Sequence, residues 1–209
     1  MKVDAVIFDV DGTLWDTTDL VAEAWNRAVA DFGITREPVT GADLKREFGK
    51  PMNEIMDNLF PGEEEQTKVD VLKVCCEYEH DILEKYEGSL LYPSVKEVFR
   101  VLAEKHKVCV VSNCQSGYIE LFLKKNRLEE YVTDIECYGD TLLSKGENIK
   151  LVMERNQIKD AIYVGDTIGD YNASVYAGVP FVYVDYGFGI VKTPDKRISD
   201  LIELLELVK

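Results

Sequence analysis

Residues 8–16 read Phe8-Asp9-Val10-Asp11-Gly12-Thr13-Leu14-Trp15-Asp16 and directly follow an apolar run over residues 3–8. Such a run is typical of a buried strand, and the Gly-Thr pair indicates a turn. The segment therefore places two carboxylates, Asp9 and Asp11, one residue apart at the carboxyl end of a strand. Because buried carboxylates are costly without a cation, this pattern predicts a site for a hard cation such as Mg2+.

Similar apolar runs recur along the chain and alternate with helical patterns. We predict strands over residues 3–8, 108–111, 134–138, 161–164 and 181–184, and helices over 95–104, 118–126, 146–156, 169–177 and 199–208. Apolar runs without alternation are typical of parallel strands covered on both faces. The sequence therefore predicts an α/β fold with a Rossmann-like open parallel sheet.

Residues 16–87 interrupt this alternation with helical patterns and no convincing strand. One predicted helix, over residues 20–32, carries an apolar face that includes Trp25, and we expect Trp15 and Trp25 to pack in a core or hinge. A second spans residues 63–85, with these apolar positions among charged ones: Val69, Leu72, Val74, Cys76, Ile82 and Leu83. We predict a core domain over residues 1–15 and 88–209 and an inserted, all-helical cap over 16–87.

Composition limits the class of partner. The chain has 209 residues, 46% of them hydrophobic, which is enough for one sizeable core. Its 39 acidic and 24 basic residues give a net charge of -15, which opposes binding to nucleic acids and to anionic membranes. A site for an anionic substrate must therefore be made locally positive by a metal, lysines or backbone amides.

The cysteines and the amino-terminal residues predict a compartment. Five cysteines form no C-x-x-C pair, so we expect reduced thiols and a cytoplasmic protein. Packing is favoured over a nucleophilic role for Cys114, because no histidine lies near it in sequence. Acidic residues from Asp9 onward do not fit a secretory signal, and no apolar run reaches membrane-spanning length. No apolar stripe is left unassigned, so we expect a monomer.

Polar residues also follow other predicted strands, where open α/β sheets bind ligands. Ser112 and Asn113 follow the second strand, and Asp166 and Asp170 follow the fourth, four residues apart at the start of a helix, where they would share a face. Lys145 precedes another helix and can reach a phosphate. Taken singly, these residues are compatible with a turn, a solvated charge or a helix cap. Their ordered occurrence favours a site.

The four motifs together resemble those of the haloacid dehalogenase superfamily, and the match spans the whole chain. The first motif stands as Asp9-Val10-Asp11-Gly12-Thr13, the second as Ser112, the third as Lys145 and the fourth as Gly165-Asp166 with Asp170. The position of the insertion is similar to that in the group of phosphoglycolate phosphatase and β-phosphoglucomutase, which has a helical cap. In this chain Lys145-Gly146 stands where the phosphoglycolate phosphatase group often has Lys-Pro.

The resemblance implies a Mg2+-dependent phosphatase acting on a small phosphorylated metabolite. Asp9 would be the nucleophile that forms an aspartyl-phosphate, and Asp11 the general acid and base. The second aspartate also separates phosphatases and mutases from dehalogenases. The expected Mg2+ ligands are Asp9, the backbone carbonyl of Asp11 and Asp166, with Asp170 orienting a water. The expected phosphate-binding residues are Ser112, Asn113 and Lys145.

The resemblance also suggests residues for substrate specificity. The segment Arg46-Glu47-Phe48-Gly49-Lys50-Pro51-Met52 is similar to the cap loop that points into the active site in these relatives. We therefore expect Arg46 or Lys50, beside the flexible Gly49, to contact the substrate beyond its phosphate. A solvated loop lysine is the alternative.

Two other functions stay open. A phosphosugar mutase of the β-phosphoglucomutase type would share every catalytic residue named above and would transfer the phosphoryl group to a sugar hydroxyl. A non-catalytic module that binds metal or phosphate is the alternative from another class. The order of the elements and the presence of both Asp9 and Asp11 argue against such a module.

Overall fold

A six-stranded, fully parallel sheet forms the centre of the protein in the computed structural model, which describes residues 1–208. The strands are β1 (Ala5–Phe8), β2 (Lys107–Ser112), β3 (Asp134–Cys137), β4 (Ala161–Gly165), β5 (Phe181–Val184) and β6 (Lys196–Ile198). Their order across the sheet is β3-β2-β1-β4-β5-β6. This arrangement confirms the predicted Rossmann-like α/β fold.

Both faces of the sheet are buried, which explains the unbroken apolar runs. Alternate residues of β1 belong to two separate cores. Phe8 packs on one face and stacks on Phe99 at a centroid distance of 5.0 Å, and Ile7 belongs to the core that contains Ile149 on the opposite face. A sheet covered on both sides leaves its carboxyl edge as the place for a ligand.

Ten α-helices accompany the strands within residues 1–208. They are α1 (Thr18–Asp31), α2 (Gly41–Glu47), α3 (Met52–Leu59), α4 (Glu65–Lys85), α5 (Val95–Leu102), α6 (Tyr118–Asn126), α7 (Tyr138–Thr141), α8 (Lys145–Arg155), α9 (Ile168–Ala177) and α10 (Leu204–Leu207). Among them, α4 is the longest, with 21 residues. In this part of the chain, none is both long and apolar enough to cross a membrane.

The carboxyl-terminal part differs from the prediction. β6 was missed because Lys196–Ile198 is a three-residue edge strand in which only Ile198 is buried, so it leaves no apolar run in the sequence. The helix predicted over residues 199–208 is instead a short 3-10 turn, Leu201–Glu203, followed by the single-turn helix α10. Residues Lys196–Ile198 form a strand because they pair with β5 at the edge of the sheet, and not because of local strand propensity.

Residues 16–87 contain α1 to α4 and no strand within the described chain; we refer to this segment as the helical insertion. The chain passes between the sheet domain and this insertion twice, and the two connecting segments form a paired crossing, held by backbone hydrogen bonds. Asp16 N donates to Leu90 O, and Tyr92 N donates to Leu14 O, both at 3.0 Å. This paired crossing supports boundaries near residues 15 and 88, which stay a proposal. Trp15 and Trp25 are both fully buried, as predicted.

Of the apolar positions named for the predicted helix over residues 63–85, only Leu83 lies on the inward face of α4. Its buried residues are Val71, Cys75, Glu79 and Leu83, which recur every four residues, whereas Val69 is 54% exposed. The apolar residues of this helix lie on several sides, so their spacing alone did not identify the inward row. That row includes a carboxylate, Glu79, which apolar periodicity does not reveal.

Candidate active site

Three strand ends meet at the carboxyl edge because β1 lies between β2 and β4. Asp9 follows β1, Ser112 is the last residue of β2, and Asp166 follows β4. The first turns of α8 and α9 add Lys145 and Asp170. The structure therefore brings together polar residues that are up to 161 positions apart in sequence, counted from Asp9 to Asp170 (170 less 9).

Lys145 joins two of the carboxylates in a buried cluster. Its Nζ donates to Asp9 Oδ1 at 2.8 Å and to Asp170 Oδ1 at 2.6 Å. Burial alone would lower the pKa of Lys145, but the carboxylates of Asp170 and Asp9 raise it above its ordinary value. Lys145 is therefore a permanent cation, and it partly offsets the cost of burying the acids.

One carboxylate oxygen of this cluster stays unpaired. Among residues 1–208, Asp9 Oδ2 is buried and has no hydrogen-bond partner. Burial raises the pKa of Asp9, while the neighbouring Lys145 opposes the rise. A buried oxygen without a partner is costly unless a ligand pairs with it. Asp9 Oδ2 is thus the free atom of the site, available to a cation or to a reacting group.

The acids around it suit a hard cation. Asp9, Asp166 and Asp170 are buried and each offers an oxygen within 4.8 Å of the others, and carboxylate oxygens are the ligands that Mg2+ prefers. Both oxygens of Asp170 are already engaged, one by Lys145 and the other by the Thr167 backbone N–H at 2.9 Å and hydroxyl at 2.7 Å. In the described part of the chain, Asp9 Oδ2 has no partner, and Asp166 Oδ1 has only a long contact of 3.4 Å with the Thr13 hydroxyl, so Asp9 and Asp166 are the better candidates for direct ligands.

The predicted placement of Asp166 on a helical turn is wrong. Thr167 caps α9 and Asp170 completes its capping box, so Asp166 lies before the helix, in the turn after β4. Its Oδ2 accepts from Phe188 N at 2.6 Å. Gly12 has φ +80° and faces Asp166 so closely that a Cβ atom there would collide with the Asp166 carboxylate. The turn after β1 therefore depends on glycine.

Asp11 points away from the acidic cluster. Its Oδ1 accepts from Tyr118 Oη at 2.7 Å and from Trp15 Nε1 at 3.1 Å. Burial raises the pKa of Asp11 to about 8, against the effect of the Tyr118 hydrogen bond. The Asp11 side chain is therefore largely protonated near neutral pH and can donate a proton. Its carboxylate does not belong to the cation-binding group found in the described residues.

A small cavity lies beside Asp11, between the sheet domain and the helical insertion. Its volume is about 20 Å3, room for about one water molecule. The lining residues are Asp11, Phe48, Gly49, Lys50, Met52, Ile55, Glu79, Ser112, Asn113, Cys114, Gln115 and Tyr118. Ser112, predicted to bind phosphate, thus lies on the same cavity as Asp11, and it is buried.

Asn113 has a different contact from the predicted one. Its Nδ2 donates to the carbonyl of Gly49 at 2.8 Å, so the amide that we expected to bind phosphate connects the sheet domain to the helical insertion. Its Oδ1 is buried and has no partner within the described chain. Because Nδ2 must face the Gly49 carbonyl, the unpaired atom that remains is an acceptor, which does not suit a phosphate oxygen.

The three residues predicted for specificity border one groove, but only two of them also line the cavity. Gly49 and Lys50 line the cavity, and Lys50 Nζ forms an ion pair with Glu47 at 2.7 Å. Arg46 does not line the cavity: its side chain is 66% exposed, pairs with Asp43, and borders the adjoining groove that Gly49 and Lys50 also line. The structure therefore favours Lys50 over Arg46, because only Lys50 lies near Asp11.

Sequence reasoning missed three residues of this cavity: Glu79, Gln115 and Tyr118. Glu79 is buried and accepts from Trp25 Nε1 and from Gln115 Nε2, both at 2.9 Å. Burial raises the pKa of Glu79 to about 7. A glutamate in line with Val71 and Leu83 on one helical face is the sequence signal that could have identified it.

Cys114 also lines the cavity, but its chemistry supports the predicted packing role. The thiol is buried, and burial raises its pKa well above the ordinary value. A protonated thiol is a poor nucleophile at neutral pH. All five cysteines are free thiols in the structure.

Comparisons with known proteins agree with this geometry. A sequence profile for haloacid dehalogenase-like hydrolases matches residues 6–184. A phosphoglycolate phosphatase of Vibrio vulnificus is 25% identical over 226 aligned residues, which cover 99% of this chain and 96% of that protein. A pyrophosphatase of Listeria welshimeri is 23% identical, with 100% and 97% covered.

A solved structure supports the fold in particular. The protein CbbY of Rhodobacter sphaeroides, crystallised in complex with phosphate, superposes with a TM-score of 0.82 at 17% identity. The superposition covers 97% of this chain and 96% of CbbY, so the sheet domain and the helical insertion both have counterparts.

Proposed function

The chain belongs to the haloacid dehalogenase-like hydrolase family, and from this premise we propose that it is a Mg2+-dependent phosphatase that acts on a small-molecule phosphate monoester. The observation that carries the proposal is the pairing of Asp9 and Asp11. Asp9 presents a buried oxygen without a partner, and Asp11, two residues later, is held protonated by burial. A nucleophile and an acid are the two groups that ester cleavage with a poor leaving group requires.

In the first proposed step, Asp9 Oδ2 forms a bond to phosphorus. The bond from phosphorus to the leaving oxygen breaks, and the proton of Asp11 passes to that oxygen. The products are an alcohol and an aspartyl-phosphate on Asp9. Tyr118 and Trp15 hold the Asp11 carboxyl in position for this transfer.

In the second step, the Asp11 carboxylate accepts a proton from water, whose oxygen bonds to phosphorus. The bond from phosphorus to Asp9 breaks, and inorganic phosphate leaves. Both residues return to their starting states, so the cycle is balanced. Lys145 stays charged throughout and stabilises the negative charge on the transferred group. Ser112 lines the cavity beside Asp11 and is proposed to bind the same phosphate.

We propose that Mg2+ is held by Asp9, Asp166 and the Asp11 backbone carbonyl, with Asp170 in a supporting role. When bound, the ion supplies positive charge that lets an anionic phosphate approach an anionic carboxylate. Asp170 holds Lys145 and the turn at Thr167, and in this way it fixes the positions of the neighbouring groups.

The helical insertion would act as the cap over this site. The cavity holds about one water molecule, and the Asn113–Gly49 hydrogen bond closes one side of it. A phosphate ester is larger than this cavity, so we propose that the insertion opens at the paired crossing near Asp16 and Leu90 to admit substrate.

The test of function is phosphate release from a panel of phosphate monoesters, with Mg2+ and with EDTA. We expect release only with Mg2+, because Asp9, Asp166 and Asp170 lack a compensating cation other than Lys145 within the described site. Activity lost in EDTA should return when Mg2+ is added in excess. Release that is equal in EDTA would contradict the metal requirement.

The same panel distinguishes the alternatives. Isomerisation of a sugar phosphate without net phosphate release would favour a mutase. Mg2+ binding, measured by calorimetry, without any reaction on the panel would favour a non-catalytic module.

Lys50 is proposed to donate to an oxygen of the leaving group after it separates from Glu47. We expect Lys50→Ala to lower kcat/KM about tenfold, because a hydrogen bond from a charged donor contributes on the order of 1.5 kcal/mol. The matched control is Lys85→Ala, in an exposed ion pair at the end of α4, which should match the wild type. An unchanged kcat/KM for Lys50→Ala on the preferred substrate would count against this role.

A further inference from the structure

The wall of the cavity beside Asp11 has one buried hydrogen-bond acceptor without a partner, and three of its side-chain donors already bond to protein groups. Within the described chain, Asn113 Oδ1 is buried on this wall without a partner. The Glu79 carboxyl lies on the same wall. A buried acceptor without a donor is costly, so Asn113 Oδ1 favours a ligand that donates a hydrogen bond. Both oxygens of Glu79 already accept from Trp25 and Gln115, but each carboxylate oxygen can accept a second donor.

Three side-chain donors of the wall bond to protein groups. Tyr118 Oη donates to Asp11, Gln115 Nε2 to Glu79, and Asn113 Nδ2 to the Gly49 carbonyl. These three contacts are 2.7 to 2.9 Å long, so they are well formed. A leaving group that carries only acceptors could not use these three donors without breaking their contacts, and it would leave Asn113 Oδ1 unpaired.

Lys50 is the cation of this wall, and Glu47 compensates its charge at 2.7 Å. The acidic groups that line the cavity are Asp11 and Glu79. A carboxylate on the leaving group would therefore lie near Glu79, which repels it, with one already-paired lysine to attract it. An ammonium group could donate to the acceptors, but it could not accept from Lys50.

We propose that the leaving group of the substrate carries a free hydroxyl, as in a small polyol phosphate, and that Glu79 and Asn113 select it. Of the carboxylate, the ammonium and the hydroxyl, only the hydroxyl satisfies both kinds of group, because it donates to Asn113 Oδ1 or to Glu79 and accepts from Lys50. Phe48, Met52 and Ile55 form the apolar part of the wall and suit its carbon atoms. This inference rests on the proposed phosphatase function and specifies the substrate class of the same site.

The test compares four esters with two or three carbons at pH 8: glycerol 3-phosphate, 2-phosphoglycolate, phosphoethanolamine and ethyl phosphate. We expect the wild type to show a kcat/KM for glycerol 3-phosphate at least tenfold above that for each of the others. A preference for 2-phosphoglycolate or for phosphoethanolamine, or equal use of ethyl phosphate, would overturn the proposal.

The Glu79→Gln variant tests whether Glu79 selects the leaving group. It removes the negative charge while keeping the size of the side chain and an acceptor oxygen, so repulsion of a carboxylate should fall. We expect the ratio of kcat/KM for 2-phosphoglycolate to that for glycerol 3-phosphate to rise at least fivefold. A ratio that stays at the wild-type value would overturn the role of Glu79. The matched control is Glu77→Gln, an exposed position on the same helix.

Binding measurements distinguish a failure of the proposed leaving-group selection from a failure of the proposed phosphatase activity. Calorimetric titration of Asp9→Asn with the same esters measures affinity without turnover. A tenfold tighter Kd for glycerol 3-phosphate, combined with no phosphate release by the wild type, would support the leaving-group selection and reject the phosphatase. Equal Kd values for all four esters would overturn the selection even if the wild type releases phosphate.

Discussion

Asp9→Asn is expected to lower kcat for phosphate release by roughly 10,000-fold or more, because loss of a catalytic nucleophile has effects of that order. The amide cannot form the bond to phosphorus that Asp9 Oδ2 is proposed to form. The measurement is initial-rate phosphate release with Mg2+ on the best substrate of the panel. The matched control is Asp160→Asn, an exposed acid at the opposite end of the sheet, which should keep wild-type activity.

The fold of the Asp9→Asn variant should be intact, and this makes the result interpretable. Lys145 keeps its ion pair with Asp170 at 2.6 Å, and the amide has almost the volume of the carboxyl group. Circular dichroism and thermal unfolding should therefore resemble the wild type. A folded Asp9→Asn variant with more than a tenth of wild-type activity would reject Asp9 as the nucleophile.

Lys145→Met should destabilise the protein by about 3–5 kcal/mol in the absence of divalent ions, because removing one member of a buried ion cluster leaves uncompensated charge. Asp9 and Asp170 would then face each other without the cation, with both side chains nearly inaccessible to solvent. The measurement is denaturant unfolding in EDTA. The matched control is Lys96→Met on α5, an exposed lysine, with an expected change below about 0.5 kcal/mol.

Repeating the unfolding with Mg2+ tests whether the cluster is the cation site. A bound cation would replace part of the lost charge, so the difference between Lys145→Met and the wild type should be smaller in Mg2+ than in EDTA. Equal differences under the two conditions would argue against Mg2+ binding next to Lys145. Stability of Lys145→Met within about 1 kcal/mol of the wild type in EDTA would contradict the energetic role of the cluster.

Local sequence patterns were sufficient to predict a strand wherever the residues of that strand carry the signal themselves. Unbroken apolar runs identified β1, β2, β4 and β5, because strands covered on both faces need apolar side chains at successive positions. The strand β3 was also predicted, although it reads Asp134-Ile135-Glu136-Cys137 and is only half apolar. The same patterns failed for Lys196–Ile198, whose strand conformation comes from pairing with β5. They also failed for the inward row of α4, where Glu79 replaces an apolar residue.

The candidate active site also has features that local sequence patterns predicted and features that they did not. The sequence by itself determined which strand ends carry acids, a hydroxyl and a lysine, and hence the family and the fold, because these chemical types follow their strands directly in the chain. Only the tertiary structure decided which atoms of the site lack a hydrogen-bond partner. Lys145 occupies Asp9 Oδ1 and leaves Oδ2 unpaired, Asn113 binds Gly49, and Glu79 reaches the cavity from α4. These contacts join distant parts of the chain, so they depend on sheet order and on the packing of the insertion, which no local pattern encodes.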